Sequence, residues 1–131
     1  MFADLKYWYF DAIQNYAVFQ GRARRTAFWM FALANAVISI GLLLLSRAVP
    51  LFSSITVLYD LAVLVPALAL GARRLHDTGR SGWWLVASLV PLIGTLLLIW
   101  FFVQDSEHGE NAYGPNPKTA SGQTALPRPA A

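Results

Sequence analysis

The sequence contains no cysteine. That excludes disulfide bonds, zinc–thiolate centres and thiol nucleophiles together. Charge is also scarce. Asp, Glu, Lys and Arg make up 13% of the 131 residues, about half the roughly 25% of a soluble domain. Histidine occurs only at positions 76 and 108. No metal-ligand spacing accompanies either one, so no metal site and no cofactor is implied. No segment repeats, which leaves an inverted-repeat transporter within one chain unsupported. Residues 1–25 lack the apolar core of a secretory signal, because Asp4, Lys6 and Asp11 interrupt it.

What is present in quantity is apolar, at 56% of the residues. Thr26–Ser46 carries no charge over 21 residues, about 31 Å of helix at ~1.5 Å per residue. That matches a hydrocarbon core of ~30 Å. Gly82–Gln104 is again uncharged, with Trp83 and Trp84 at one end and Trp100, Phe101 and Phe102 at the other. It reads as a span between two aromatic belts, kinked at Pro91. Leu51–Ala72 lies between these runs and holds Asp60 and Pro66. A central Asp costs about 2.5–3.5 kcal/mol, which the eleven Leu, Ile, Val and Phe residues offset at about 0.3–0.6 kcal/mol each.

The expected fold is therefore an all-α membrane protein. It has an amphipathic segment at 1–25, three transmembrane helices within 26–104 (about 26–46, 51–72 and 82–104), and a polar tail at 105–131. The tail is expected to be disordered from about 119, where Ala, Ser, Thr, Gly and Pro lack periodicity. In the first segment Leu5, Trp8, Ala12, Tyr16 and Phe19 share helical spacing, opposite Asp4, Asp11 and Asn15. This predicts a helix lying in the membrane interface, or else packed on the bundle or a partner.

Net charge is +3, but the basic residues flank apolar runs and form no stripe for nucleic acid. Lys6, Arg22, Arg24, Arg25, Arg73, Arg74 and Arg80 fall before the first run or between the second and third. Arg47, Lys118 and Arg128 fall elsewhere. The positive-inside rule then puts the N-terminus and second loop in the cytoplasm and, with three spans, the tail outside.

Three groups of residues stand out. The second loop reads R-R-L-H-D-T-G-R-S-G-W-W from Arg73 to Trp84. Folded back on itself, Arg73, Arg74, His76, Asp77, Arg80 and Ser81 could surround one anion, with lipid phosphate the nearest candidate. His76 beside Asp77 could be half of an acid–base pair on a phosphorylated lipid, although helical neighbours do not face each other. Within the spans, Asp60 and Asn35 lie at similar depth, and Ser39 shares the face of Asn35. They could glue two helices together, or Asp60 could couple protons in a small oligomeric transporter.

Phe19–Trp29 reads F-Q-G-R-A-R-R-T-A-F-W, and Gly109–Pro117 reads G-E-N-A-Y-G-P-N-P. With the second loop, Pro91 and Gly94, these segments resemble the domain of unknown function 805 family across roughly residues 5–117. The resemblance implies a small bacterial inner-membrane protein and no particular activity. Ala112 and Asn116 depart from the Arg and Asp usual in that family. The expected function is a non-enzymatic module that binds a partner protein or anionic lipid through Arg73–Trp84. Membrane lipids, and a second copy or another membrane protein, are its expected partners.

Overall fold

The computed structural model describes residues 2–118, so the expectation for the chain from 119 lies outside the described residues. Four α-helices and one 3-10 segment follow in order: α1 (Phe2–Gln14), α2 (Arg25–Ala48), α3 (Leu51–Asp77), the 3-10 segment Gly82–Leu89, and α4 (Ile93–Val103).

α2 and α3 form a long antiparallel hairpin. Their 24 and 27 residues give about 36 and 40 Å at ~1.5 Å per residue, enough to cross a bilayer. Val49 and Pro50 make the connection. The Val49 N–H closes on the Leu45 carbonyl at 2.9 Å and the Phe52 N–H on Val49 at 3.0 Å. α3 runs unbroken through Pro66. Its last residues, Arg73–Asp77, continue the helix beyond the apolar stretch.

α1 packs on this hairpin. Trp8 and Ala12 are buried, whereas Tyr7 and Phe10 on the other face are exposed. Ala12 joins Ala23, Phe31 and Leu70 in one core cluster. Tyr9 stacks on Phe31 with ring centroids 5.6 Å apart. The helix stops at Gln14, where the Asn15 amide turns back onto the Asp11 carbonyl at 2.8 Å. Tyr16 and Phe19 therefore lie beyond it and do not extend its apolar face.

The third expected span is not one helix. Ser81 caps the 3-10 segment by accepting the Trp83 N–H at 3.2 Å. The chain then reverses at Pro91 and Leu92. Leu92 has φ +67° and ψ −67°, and the Ile93 N–H reaches the Pro91 carbonyl at 2.8 Å. This is a tight γ-turn of the strained kind. Gly94 lets the two arms close, since a Cβ there would lie 1.6 Å from the Ala87 carbonyl oxygen.

The result is a short hairpin that starts and ends at the same end of α3. Gly82 packs on Ala72, while Ser106, just after α4, donates a hydrogen bond to Asp77. Trp84 and Phe101, expected in opposite belts, touch edge-to-face at 5.4 Å. Gly82–Gln104 is thus not the single continuous helix expected but two short arms, and the tail, expected apart from the second loop, packs against it. An uncharged 23-residue stretch can form one long helix or two short arms that turn back, and composition alone does not separate them. Leu75, Leu98, Phe101 and Phe102 form the core beneath this hairpin.

Candidate functional site

Asp77 is the centre of the loop and is fully buried. The Arg22 Nε–H donates to its Oδ1 at 3.0 Å and an Arg74 guanidinium N–H to its Oδ2 at 2.6 Å. The Ser106 hydroxyl is a third donor. Burial pushes the Asp77 carboxyl up from its ordinary value, while Ser106, Arg74 and Arg22 pull it down. The net direction is upward, burial outweighing the three donors.

Arg22 does more than neutralise Asp77. One terminal nitrogen donates to the carbonyls of Gly109 at 2.8 Å and Gly114 at 3.0 Å. The other donates to the carbonyls of Glu107 at 2.7 Å and Asp77 at 3.1 Å. The planar five-donor fork of arginine suits such a fan, which lysine could not make. One side chain before α2 thus ties the second loop to the tail. The Glu107 N–H returns to the Asp77 carbonyl at 2.8 Å.

Arg74, also fully buried, faces the C-terminus of α4. It donates to the carbonyls of Phe102, at 3.3 and 3.4 Å, and Gln104. Arg25 donates to Val103 at 2.9 Å and the Trp29 indole to Phe102 at 3.0 Å. These cations and the indole satisfy carbonyls that a helix end leaves open, at the negative pole of its dipole.

The remaining loop residues are arranged differently from the expected anion clamp. Arg73 is buried, and its Nε and one terminal nitrogen have no hydrogen-bond partner among the described residues. Burial lowers the pKa of its guanidinium, against the nearby Asp11 carboxylate. Arg80 lies over the Phe101 ring at 4.0 Å and donates to the Gln104 side chain at 3.1 Å. His76 and Asp77 point to different partners. His76 meets the Gly21 carbonyl through Nδ1 at 2.9 Å and stacks on Tyr113 at 4.0 Å.

His76 and Ser81 instead share an apolar groove of about 470 Å3, between the end of α3 and the 3-10 segment. Phe19, Leu68, Ala72, Leu85 and Val86 form its apolar walls. The Nε2 of His76 lies on the Gly82 side of the ring. The intramembrane polar residues also separate. Asn35 accepts from the Tyr59 hydroxyl at 2.7 Å, and Tyr59 pairs with Tyr9 at 2.9 Å. Asp60 accepts from Ser39 at 3.4 Å on an exposed face. The expected Asp60–Asn35 contact is thus replaced by a Tyr9–Tyr59–Asn35 chain.

Sequence reasoning missed Arg22, Ser106, Tyr113 and Asn111, whose side-chain amide donates to the His76 carbonyl at 3.0 Å, as members of this site. The signal was available, because the Phe19–Trp29 and Gly109–Pro117 segments had been singled out. Assigning the tail to the opposite side kept them apart.

The family model described as a protein of unknown function, DUF805, matches residues 16–115. Inner membrane protein YhaI of Escherichia coli K12 is 46% identical over 118 residues, covering 87% of this chain and 98% of its own. Inner membrane protein YhaH of the same strain is 41% identical over 116 residues, covering 85% and 96%. No solved structure matches the chain. The matched region takes in Arg22, Arg74, Asp77, Ser106 and both Gly109 and Gly114, and the chain belongs to the DUF805 family.

Proposed function

We propose that this chain is a non-enzymatic inner-membrane module that holds a phospholipid in the groove beside His76. α2 and α3 cross the bilayer, and the Gly82–Val103 hairpin enters and leaves on one side. The N-terminal flank, second loop and tail lie in the cytoplasm. Lys6, Arg22, Arg24, Arg25, Arg73, Arg74, Arg80 and Lys118 then belong to the inner side and Arg47 to the outer, a stronger bias than three spans would give.

The observation that carries the lipid reading is the groove itself. Its volume falls within the roughly 300–1,000 Å3 of small-molecule sites, and its walls are apolar except at His76 and Ser81. The Ser81 oxygen is engaged by the Trp83 N–H, which leaves its hydroxyl proton to donate to a phosphate ester. An acyl chain suits Leu68, Leu85 and Val86. The loop arginines shape this place without lining it, since Arg74 and Asp77 are committed to each other and to the tail.

The test is native mass spectrometry of the protein from nanodiscs of phosphatidylglycerol and phosphatidylethanolamine. Leu68→Trp with Val86→Trp fills the groove from exposed positions. Retained phospholipid is expected to fall at least tenfold in this variant and severalfold in His76→Ala. Equal retention in all three proteins refutes the groove as the lipid site.

A further inference from the structure

The hairpin leaves one face of α2 and α3 without cover. Its arms hold 8 and 11 residues, each about 16 Å at ~2.0 and ~1.5 Å per residue. They therefore end near the middle of a ~30 Å core. At that level Leu89, Val90, Leu92 and Ile93 are all exposed, and the backbone at Pro91 and Leu92 is not helical. Irregular backbone at membrane depth persists only where protein or a water-filled cavity covers it.

Asp60 stands above this tip. It precedes Gly71 by 11 residues, three turns of helix, and so shares its strip of α3. Gly71 in turn packs on Leu85 of the hairpin. Asp60 is exposed there, with Ser39 as its hydrogen-bond donor. A carboxyl facing lipid chains is costly, and such groups face protein or a cavity. A turn and a carboxyl on one strip thus both require the same cover.

We propose that a second copy of this chain covers that strip. This rests on the half-crossing hairpin of the preceding section. Within the described residues no helix remains to fill the gap, because α1 occupies the Tyr59 side and Arg22 holds the tail at the far end. The Ser39–Asp60 pair is complementary to itself. About a two-fold axis, Ser39 of each copy can donate to Asp60 of the other, as an isologous interface requires.

The absence of cysteine makes the test direct. Leu64→Cys lies on the strip between Asp60 and the tip, and Val37→Cys lies on the far face of α2. Oxidation in native membranes is expected to yield a covalent dimer from Leu64→Cys at least fivefold above Val37→Cys. Asp60→Leu is expected to remove that excess. Native mass spectrometry from nanodiscs should give two copies per particle. A single chain, a different protein on the strip, or equal cross-linking at both positions overturns the proposal. Labelling of Leu92→Cys by an impermeant thiol reagent from outside intact cells would instead overturn the half-crossing hairpin.

Discussion

Arg22→Met should release the tail while leaving the membrane helices in place. The substitution keeps the length of the stem and removes every donor. Asp77 loses one of its two cations, and the carbonyls of Asp77, Glu107, Gly109 and Gly114 lose their shared partner. Breaking a buried pair by removing one member costs about 3–5 kcal/mol. Nothing in the α2–α3 hairpin core depends on Arg22, so the loss falls on tail docking. At about 1.4 kcal/mol per factor of ten, the undocked fraction rises by roughly two to three and a half orders of magnitude. Hydrogen exchange in nanodiscs reads this directly at the Glu107 and Gly114 amides, which bond to Asp77 and Asn111. Their exchange should accelerate at least about a hundredfold, with α2 and α3 unchanged, as expected for local opening. Unchanged tail protection would refute the claim that Arg22 is the tie. Arg22→Lys should behave like Met, because an ammonium cannot reproduce the fan.

Other consequences can be checked independently. Gly94→Ala forces a methyl onto the Ala87 carbonyl and should prevent the hairpin from closing, seen as loss of protection across residues 82–103; wild-type protection would contradict the close approach. Tyr9→Phe should cost about 1 kcal/mol, one hydrogen bond, and Tyr9→Ala about 3–5 kcal/mol, since the stack on Phe31 goes too; equal effects in detergent unfolding would show that the stack contributes nothing. The Lys118 ammonium, then the Ser106 N–H, hold the Asp105 carboxyl below its ordinary value. The small stabilisation from this exposed pair is therefore present above about pH 3.9 and is lost as pH falls through the lower folded value. A carboxyl titration of Asp105 with its midpoint at or above 3.9 would contradict the pairing. Finally, Glu110→Cys should resist an impermeant thiol reagent in intact cells while Arg47→Cys reacts; labelling of the tail would place it outside.

Much of the architecture was legible in the sequence. Length and apolarity identify α2 and α3, and Asp60 did not displace α3 from the membrane reading. The inward face of α1 was legible at Trp8 and Ala12, though not where the helix stops. The break in Gly82–Gln104 was not legible, for a specific reason. Hydropathy measures how much apolar chain is present and not whether it turns back. Pro91 predicts a kink, which is the same local signal that a reversal gives. Tryptophans at both ends of the segment fit two interfaces or one. The loop was identified as unusual, but its chemistry was misassigned, because burial of Arg74 and Asp77 depends on a tail that the three-span reading removed to the other side.

That dependence also explains why the cations cluster at one end of the bundle. α4 starts at the Pro91–Leu92 reversal and brings its last carbonyls, at Phe102, Val103 and Gln104, back to the end of α3. Arg74, Arg25 and Trp29 meet those carbonyls, and Asp77 pairs with both Arg74 and Arg22. The residues that would orient the chain by the positive-inside rule are therefore also the donors that close α4 and the tail. The two roles separate under substitution. Arg74→Lys keeps the charge and so should preserve orientation, yet it loses the bidentate reach to Phe102 and Gln104 and should loosen α4. Arg74→Gln with a compensating lysine at exposed Thr26 should likewise keep the orientation and lose the cap. If either variant left the exchange of α4 amides unchanged, the arginines would be topogenic charge alone.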